Sequence, residues 1–201
     1  IIGFISTGDE LVSNKKPIKI SQVYDSNRYL LHGLLLKYPV EIKDYGVVKD
    51  KIITIEKKFV EASSNCDVLI TTGGVSVGDA DYVKDVLEKV GKVNFWKIAV
   101  KPGRPLAYGK IKKCIFFGLP GNPVSVVVTF NLFVNAALNK LIGKSSDHPL
   151  SLEAELLSDI KKRKGRKEYK RGILISKKSK LYVRKSGSQG SNILSSVKDA
   201  N

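Results

Sequence analysis

Residues 67–82 read Asp67-Val68-Leu69-Ile70-Thr71-Thr72-Gly73-Gly74-Val75-Ser76-Val77-Gly78-Asp79-Ala80-Asp81-Tyr82. The apolar run Val68–Ile70, closed by two threonines, has the pattern of a strand buried on both faces. A glycine-rich loop follows, carrying Ser76 and two acids, Asp79 and Asp81. It leads straight into Val83, Val86, Leu87 and Val90, which recur at helical spacing. A strand, a loop of free N–H groups and a helix N-terminus can together hold an anion. Unpaired amides and the helix dipole point at the same place. The two acids would repel that anion unless a metal or a basic group stood between them. The search for that positive charge directs the reading of the rest of the chain.

Outward from this stretch, short strand and helix patterns alternate. Ile1–Ile5 is an apolar strand ended by Ser6-Thr7-Gly8-Asp9-Glu10. Residues 13–21 form a polar loop. Asp25 or Ser26 caps a helix to about Lys37, with Tyr29, Leu30, Gly33, Leu34 and Lys37 on one side. Val40–Val48 is a second strand. Asp50 is placed to cap a helix over Ile52–Ala62, with Ile52, Ile55, Phe59 and Ala62 as its inner face. Val93–Ile98 is a strand, followed by the rigid turn Val100-Lys101-Pro102-Gly103-Arg104-Pro105. Leu106–Gly109 and Cys114–Phe117 form an antiparallel hairpin. Gly118-Leu119-Pro120-Gly121-Asn122-Pro123 then opens a long apolar helix, Val124–Leu141, ended by Gly143. Pro123 sits at the first helical position, where its missing N–H costs nothing.

This order predicts an α/β fold: a three-layer, mostly parallel sheet with helices on both faces, over residues 1–144. A polar linker, 144–149, leads to a small all-β domain over residues 150–201, with strands near 172–175 and 181–184 and no clear ending. Ligands on such sheets sit beyond the carboxyl ends of the strands. The segments 71–81, 101–105 and 118–125 all follow strands and can converge there.

The chain has 201 residues, 42% hydrophobic, with a formal net charge of +16 and no Met. A first residue of Ile and the lack of Met read as a piece of a longer polypeptide. No apolar run approaches the roughly 18 residues of a membrane span, and no secretory leader pattern is present. Cys66 and Cys114 lie beside apolar strands and read as reduced core thiols, which points to the cytoplasm. The basic charge is read first as a lysine-rich surface. The run 161–171, with Glu168 as its only acid, lacks the aromatic platforms expected for single-stranded nucleic acid and the apolar face of a membrane-binding helix. Neither nucleic acid nor membrane is expected as a partner.

The glycine loop is neither a Walker loop nor a dinucleotide fingerprint. Asp79 and Asp81 either cap the helix or, with Glu10 and Asp50, hold Mg²⁺, which favours carboxylate and phosphate oxygens. Lys101 and Arg104, fixed by flanking prolines, are the best source of the missing positive charge. Arg171 is a phosphate fork or one more surface cation. His32 and His148 are isolated, so zinc and Ser/His/Asp chemistry have no candidate set.

Six motifs occur in one order: Ser6-Thr7-Gly8-Asp9-Glu10-Leu11, Tyr24-Asp25-Ser26-Asn27-Arg28, Thr72–Tyr82, Phe95-Trp96-Lys97, Lys101-Pro102-Gly103-Arg104-Pro105 and Gly118-Leu119-Pro120-Gly121-Asn122-Pro123-Val124-Ser125. In this the chain resembles the molybdopterin molybdenumtransferases, the molybdenum-inserting enzymes of molybdenum-cofactor synthesis, which include the E domain of gephyrin. The resemblance implies that adenylylated molybdopterin and molybdate give molybdenum cofactor and AMP, with Mg²⁺. It implies that Glu10, Asp50 and Asp81 hold the metal and serve anhydride cleavage, with Lys97 and Lys101 as functional lysines. Thr72, Gly73, Gly74, Ser76, Gly78, Asp79 and Ser125 would hold the pterin and its phosphate. Lys101, Arg104, Pro105, Arg171 and Ser191 would form the molybdate pocket. Arg104 stands where the family commonly has Lys. The resemblance further implies a homodimer in the full-length protein, two domains before Ile1 that complete the site, and the molybdopterin adenylyltransferase as a partner. Other readings of the same motifs are an adenylyltransferase itself, a non-catalytic gephyrin-type scaffold, or a nucleic-acid-binding module on the basic run.

Overall fold

The structure of the chain, a computed structural model, describes residues 1–13, 17–75, 82–144, 151–162 and 164–200, with the side chains of residues 95 and 96 left aside. Ser76, Gly78, Asp79 and Asp81, and nearly all of the expected linker, lie outside the described residues. The first part of the chain runs β1 (Ile2–Thr7), β2 (Leu11–Val12), β3 (Val23–Tyr24), α1 (Ser26–Leu35), β4 (Ile42–Val48), α2 (Ile52–Ser64) and β5 (Val68–Thr72). Next come α3 (Tyr82–Val90), β6 (Lys92–Lys97), β7 (Val100–Lys101), β8 (Pro105–Ile111), β9 (Cys114–Leu119), α4 (Pro123–Thr129) and α5 (Asn135–Leu141). A π-helical turn at Phe130–Val134 joins α4 to α5 as one continuous helix. The last part holds β10 (Glu155–Leu156), β11 (Lys167–Glu168), β12 (Gly172–Lys177), β13 (Lys180–Lys185) and a short α6 (Ser195–Lys198).

Six strands form one sheet in the order β4-β1-β5-β9-β8-β6. The first four are parallel, and β8 and β6 extend the sheet antiparallel. All five residues of β5 are buried, as the unbroken apolar run predicts. Helices cover both faces. On one, Ile55, Phe59 and Ala62 of α2 and Val83, Val86 and Leu87 of α3 pack against Ile5, Leu69 and Phe116. On the other, Leu31 and Leu35 of α1 and Val126, Phe130, Val134 and Leu138 of the long helix pack against Phe4, Ile70 and Phe117. Fully burying each of the Val, Leu, Ile and Phe side chains among them contributes about 1.5–3 kcal/mol. The small sheet, β10-β13-β12, is built on a hairpin whose turn residues Lys178 and Ser179 both have positive φ, the geometry that matches strand twist.

Three local expectations change. The fully buried stripe of α1 is Asn27, Leu31 and Leu35; Leu30 and Leu34 of the expected face pack beside it partly buried, while Tyr29, Gly33 and Lys37 are exposed and the helix stops at Leu35. Asp25 does cap it, accepting from the Arg28 amide at 3.2 Å. Asp50 does not cap α2. The cap position is Lys51, and the Asp50 amide instead donates to Asp9 Oδ1 at 3.2 Å. Ile52, in the first turn beyond that cap, is exposed. Pro123–Leu141 is by length and composition apolar enough to cross a membrane, although no unbroken apolar run in it is that long. Its face toward the sheet is packed in the core, as in any central core helix.

Candidate functional site

Parallel strands β1, β5 and β9 end at the same edge, and the segments that follow them open a cavity of about 1050 Å³. Gly73 and Gly74 follow β5, and Pro120–Pro123 follow β9. Glycine is required at both loop positions. Gly73 and Gly74 have φ of +82° and +61°. A Cβ on Gly73 would stand 2.5 Å from the Thr7 carbonyl oxygen, and one on Gly74 2.2 Å from Val83 Cγ2. Asn27, at the start of α1, donates from Nδ2 to the Gly121 carbonyl at 2.7 Å and so ties this wall to the Gly/Pro turn. Buried Ser125, in the first turn of α4, lines the same space.

Cations come from two directions. Lys101 ends β7, and Arg104 follows across a cis Lys101–Pro102 peptide and Gly103. Ile98 donates its amide to the Arg104 carbonyl at 2.8 Å, closing the base of this turn. The small domain docks on the turn through main-chain bonds. β11 pairs parallel with β7, Lys167 donates to Ala99 O and Tyr169 to Lys101 O, both at 2.8 Å. That pairing brings Arg166, Lys170 and Arg171 to the cavity wall. Arg171 is only 7% exposed. Its Nε donates to Ser196 Oγ at 3.0 Å, and its Nη2 to the Ser188 and Gly190 carbonyls at 3.2 and 3.0 Å. Burial pushes its pKa below the usual guanidinium range, though such a group stays protonated. Arg171 therefore organises the loop carrying Ser191. The Ser191 carbonyl in turn accepts from the Val124 amide at 3.2 Å, at the head of α4.

The acids lie beside this. Glu10 lines the cavity. Asp50 does not, but burial, then Asp9 and Glu10, push its carboxyl pKa up. Its proton is held more tightly in the folded chain than in the unfolded one. Stability contributed here should therefore fall as pH rises from the ordinary carboxylate value through the raised one. Asp50→Asn removes that loss. Denaturant unfolding should find the variant more stable at pH 7.5 and equal to the parent near pH 3. An equal difference at both pH values would contradict the raised pKa.

The structure thus gathers Glu10, Gly73, Gly74, Lys101, Arg104, Pro105, Ser125, Arg171 and Ser191 around one cavity. It places three others elsewhere. Thr72 is buried at the end of β5, donating to Ser6 Oγ at 3.3 Å. Lys97 is exposed on β6, opposite Pro105 in the ladder. Asp50 sits behind Asp9. Among the described residues no three His, Cys, Asp or Glu side chains form a ready metal cluster. Sequence reading did not place Asp25, Asn27, Arg166, Glu168, Lys170 or Gln189 at the site. All line the cavity. The motif Tyr24-Asp25-Ser26-Asn27 marked the first two, and the lone acid in a basic run marked Glu168.

A doubly covered, mainly parallel sheet with an anion-suited cavity at its carboxyl edge, closed by a small β domain, defines a ligand-binding α/β module. Residues 3–140 match the family described as probable molybdopterin binding domain, and residues 153–201 match the MoeA C-terminal region, domain IV. The chain belongs to this molybdopterin-binding family. It is 46% identical over 202 residues to the molybdopterin molybdenumtransferase of Haemophilus influenzae, covering all of this chain and 50% of that protein. It is 37% identical over 236 residues to gephyrin of Dictyostelium discoideum, covering 100% of this chain and 33% of that one. Among solved structures, the molybdopterin biosynthesis moeA protein of Pyrococcus horikoshii OT3 superposes with a TM-score of 0.77 at 30% identity, over 100% of this chain and 47% of that chain. The chain thus spans half or less of the length of these relatives.

Proposed function

We propose that this chain forms the substrate-binding core of a molybdopterin molybdotransferase, which inserts molybdenum from molybdate into adenylylated molybdopterin and releases AMP. The observation that carries the reading is the convergence of Lys101, Arg104 and Arg171 with Ser125, Ser191 and the Gly73–Gly74 loop around one cavity. The reaction requires two anions, an oxyanion and a phosphoanhydride, to be held close together. Cations fixed in a preorganised site offset their repulsion. Lys101, Arg104, Arg171 and the hydroxyl of Ser191 would take the molybdate, with Pro105 shaping its pocket, and Ser125 would hold the pterin side beside it. The glycine loop with Ser76, Gly78 and Asp79 would take the pterin phosphate. Thr72 supports the loop from beneath, and Lys97 would serve from the rim.

Glu10, Asp50 and Asp81 would hold Mg²⁺. Asp9, Glu10 and Asp50 do not by themselves form a ready metal cluster, but after burial it is Asp9 and Glu10 that raise the Asp50 carboxyl pKa, and a divalent cation held there would relieve that repulsion. Mg²⁺ would supply charge neutralisation at the anhydride oxygens. A cytoplasmic location, a homodimer in the full-length protein and delivery of substrate by the molybdopterin adenylyltransferase complete the proposal, supported by the family resemblance. The test is direct. A polypeptide of the relatives' full length that carries this chain should release AMP from adenylylated molybdopterin when given molybdate and Mg²⁺. AMP release no faster than in a blank would sink the reading.

A further inference from the structure

Glu168 is the one acid in the basic run 161–171, and the fold spends it at the cavity wall. Strand pairing fixes it there: β11 sets Glu168 directly opposite Lys101 of β7. Its carboxylate divides between two ammonium groups. Oε1 lies 3.2 Å from Lys101 Nζ and Oε2 lies 2.6 Å from Lys170 Nζ. The Glu168 side chain is 5% exposed, against 45% for Lys101 and 26% for Lys170. The ammonium of Lys170, paired with Oε2, and then that of Lys101, which donates to Oε1, hold the carboxyl pKa below the usual range, so it is ionised when these contacts form. Among the described residues, every other charged side chain that the small domain puts on the cavity wall is a cation: Arg166, Lys170 and Arg171.

We infer that Glu168 is the internal counter-ion of the oxyanion pocket: it holds Lys101 in place when no oxyanion is bound and hands it over to an incoming oxyanion. This rests on the reading of Lys101 as a molybdate ligand. Two consequences follow from charge alone. An incoming anion must compete with a carboxylate for Lys101, which lowers affinity for any anion. The field of Glu168 also opposes a dianion about twice as strongly as a monoanion. Glu168 is a positioning residue, acting through Lys101 rather than on substrate.

Molybdate and perrhenate make a suitable pair of probes, since both are tetrahedral tetraoxo anions, one doubly and one singly charged. Each is titrated calorimetrically into the chain and into Glu168→Gln at fixed ionic strength. The variant should bind molybdate about 5–10-fold more tightly and perrhenate about 2–3-fold more tightly, the gain shrinking as salt is raised. In the Lys101→Met background the same substitution should yield a clearly smaller gain, because the lysine it releases is gone. A purely structural Glu168 predicts the reverse, weaker binding of both anions. Should Glu168→Gln fail to fold, Glu168→Asp, which shortens the carboxylate's reach, carries the test with the same sign and a smaller size. If the parent binds molybdate but neither variant tightens it, the counter-ion role is overturned and the pocket stands. If the parent binds neither anion, the pocket falls and the counter-ion with it.

Discussion

Lys101→Met should reduce turnover by about 10²- to 10³-fold in a polypeptide of the relatives' full length, with little change in folding. The size follows from the role. A cation held against a developing or transferred anion in a preorganised site is typically worth two to three orders of magnitude. Met keeps most of the side-chain length and apolar stem, so the change isolates the charge. The backbone of the turn does not depend on it. The Ile98–Arg104 bond, the pairing of Lys97 with Pro105 and the Tyr169–Lys101 main-chain bond all remain. The side chain is 45% exposed and the buried carboxylate of Glu168 keeps Lys170 as its partner, so thermal melting should move by no more than a few degrees. Molybdate binding should weaken about 10-fold, and its salt dependence should flatten because one fewer cation is engaged. Lys101→Arg should recover binding better than turnover, since a planar fork cannot stand where a point charge stood. Unchanged turnover in Lys101→Met would remove it from the site and leave Arg104 and Arg171 as the cations to test.

The architecture was largely legible in the chain. An unbroken apolar run such as Val68–Ile70 can be satisfied only inside a sheet covered on both faces, and strand–helix alternation forces parallel crossovers. The carboxyl-edge location of the site follows from the same topology. What was not legible depends on partners distant in sequence. In α1, Gly33 and Lys37 complete a plausible stripe, yet the fully buried face begins at Asn27, whose side-chain amide donates to the Gly121 carbonyl, 94 residues away. Asp50 has the residue type of a cap but stands one residue before the cap position, Lys51, and its backbone amide is held by Asp9, 41 residues away. Arg171 and Glu168 lie in a run where neighbouring residues are nearly all basic, and local spacing cannot single them out. Arg171 is buried by Ser188, Gly190 and Ser196, and Glu168 is aimed by a two-residue ladder with β7. Fold follows from local pattern repeated many times. These site residues follow from single long-range contacts.

The second large effect is structural and concerns Gly73. Gly73→Ala should destabilise the fold by about 3 kcal/mol or more and disable the cavity with it. Two costs add. At φ +82° an L side chain pays about 1–2 kcal/mol for the left-handed region. The new Cβ would also stand 2.5 Å from the Thr7 carbonyl oxygen and 3.3 Å from Thr7 Oγ1. The main clash is with backbone at the end of β1, not with a side chain that can swing away. Gly73 is held in turn by the hydrogen bond its amide donates to the Leu119 carbonyl at 3.2 Å, at the end of β9. Relief therefore requires the ends of β1, β5 and β9 to separate where they support the ligand cavity. In a chain of this size the loss should lower the melting temperature by roughly 6–12 °C. Gly143→Ala is the control. Gly143 has φ +75°, but its Cβ would meet nothing within 4 Å, so only the conformational cost applies, about 1 kcal/mol. If the two variants melt together, the close approach at Thr7 is soft, and the glycine at 73 serves φ alone. If Gly73→Ala melts well below Gly143→Ala and also loses molybdate binding, the contact between the strand ends is what gives the cavity its shape.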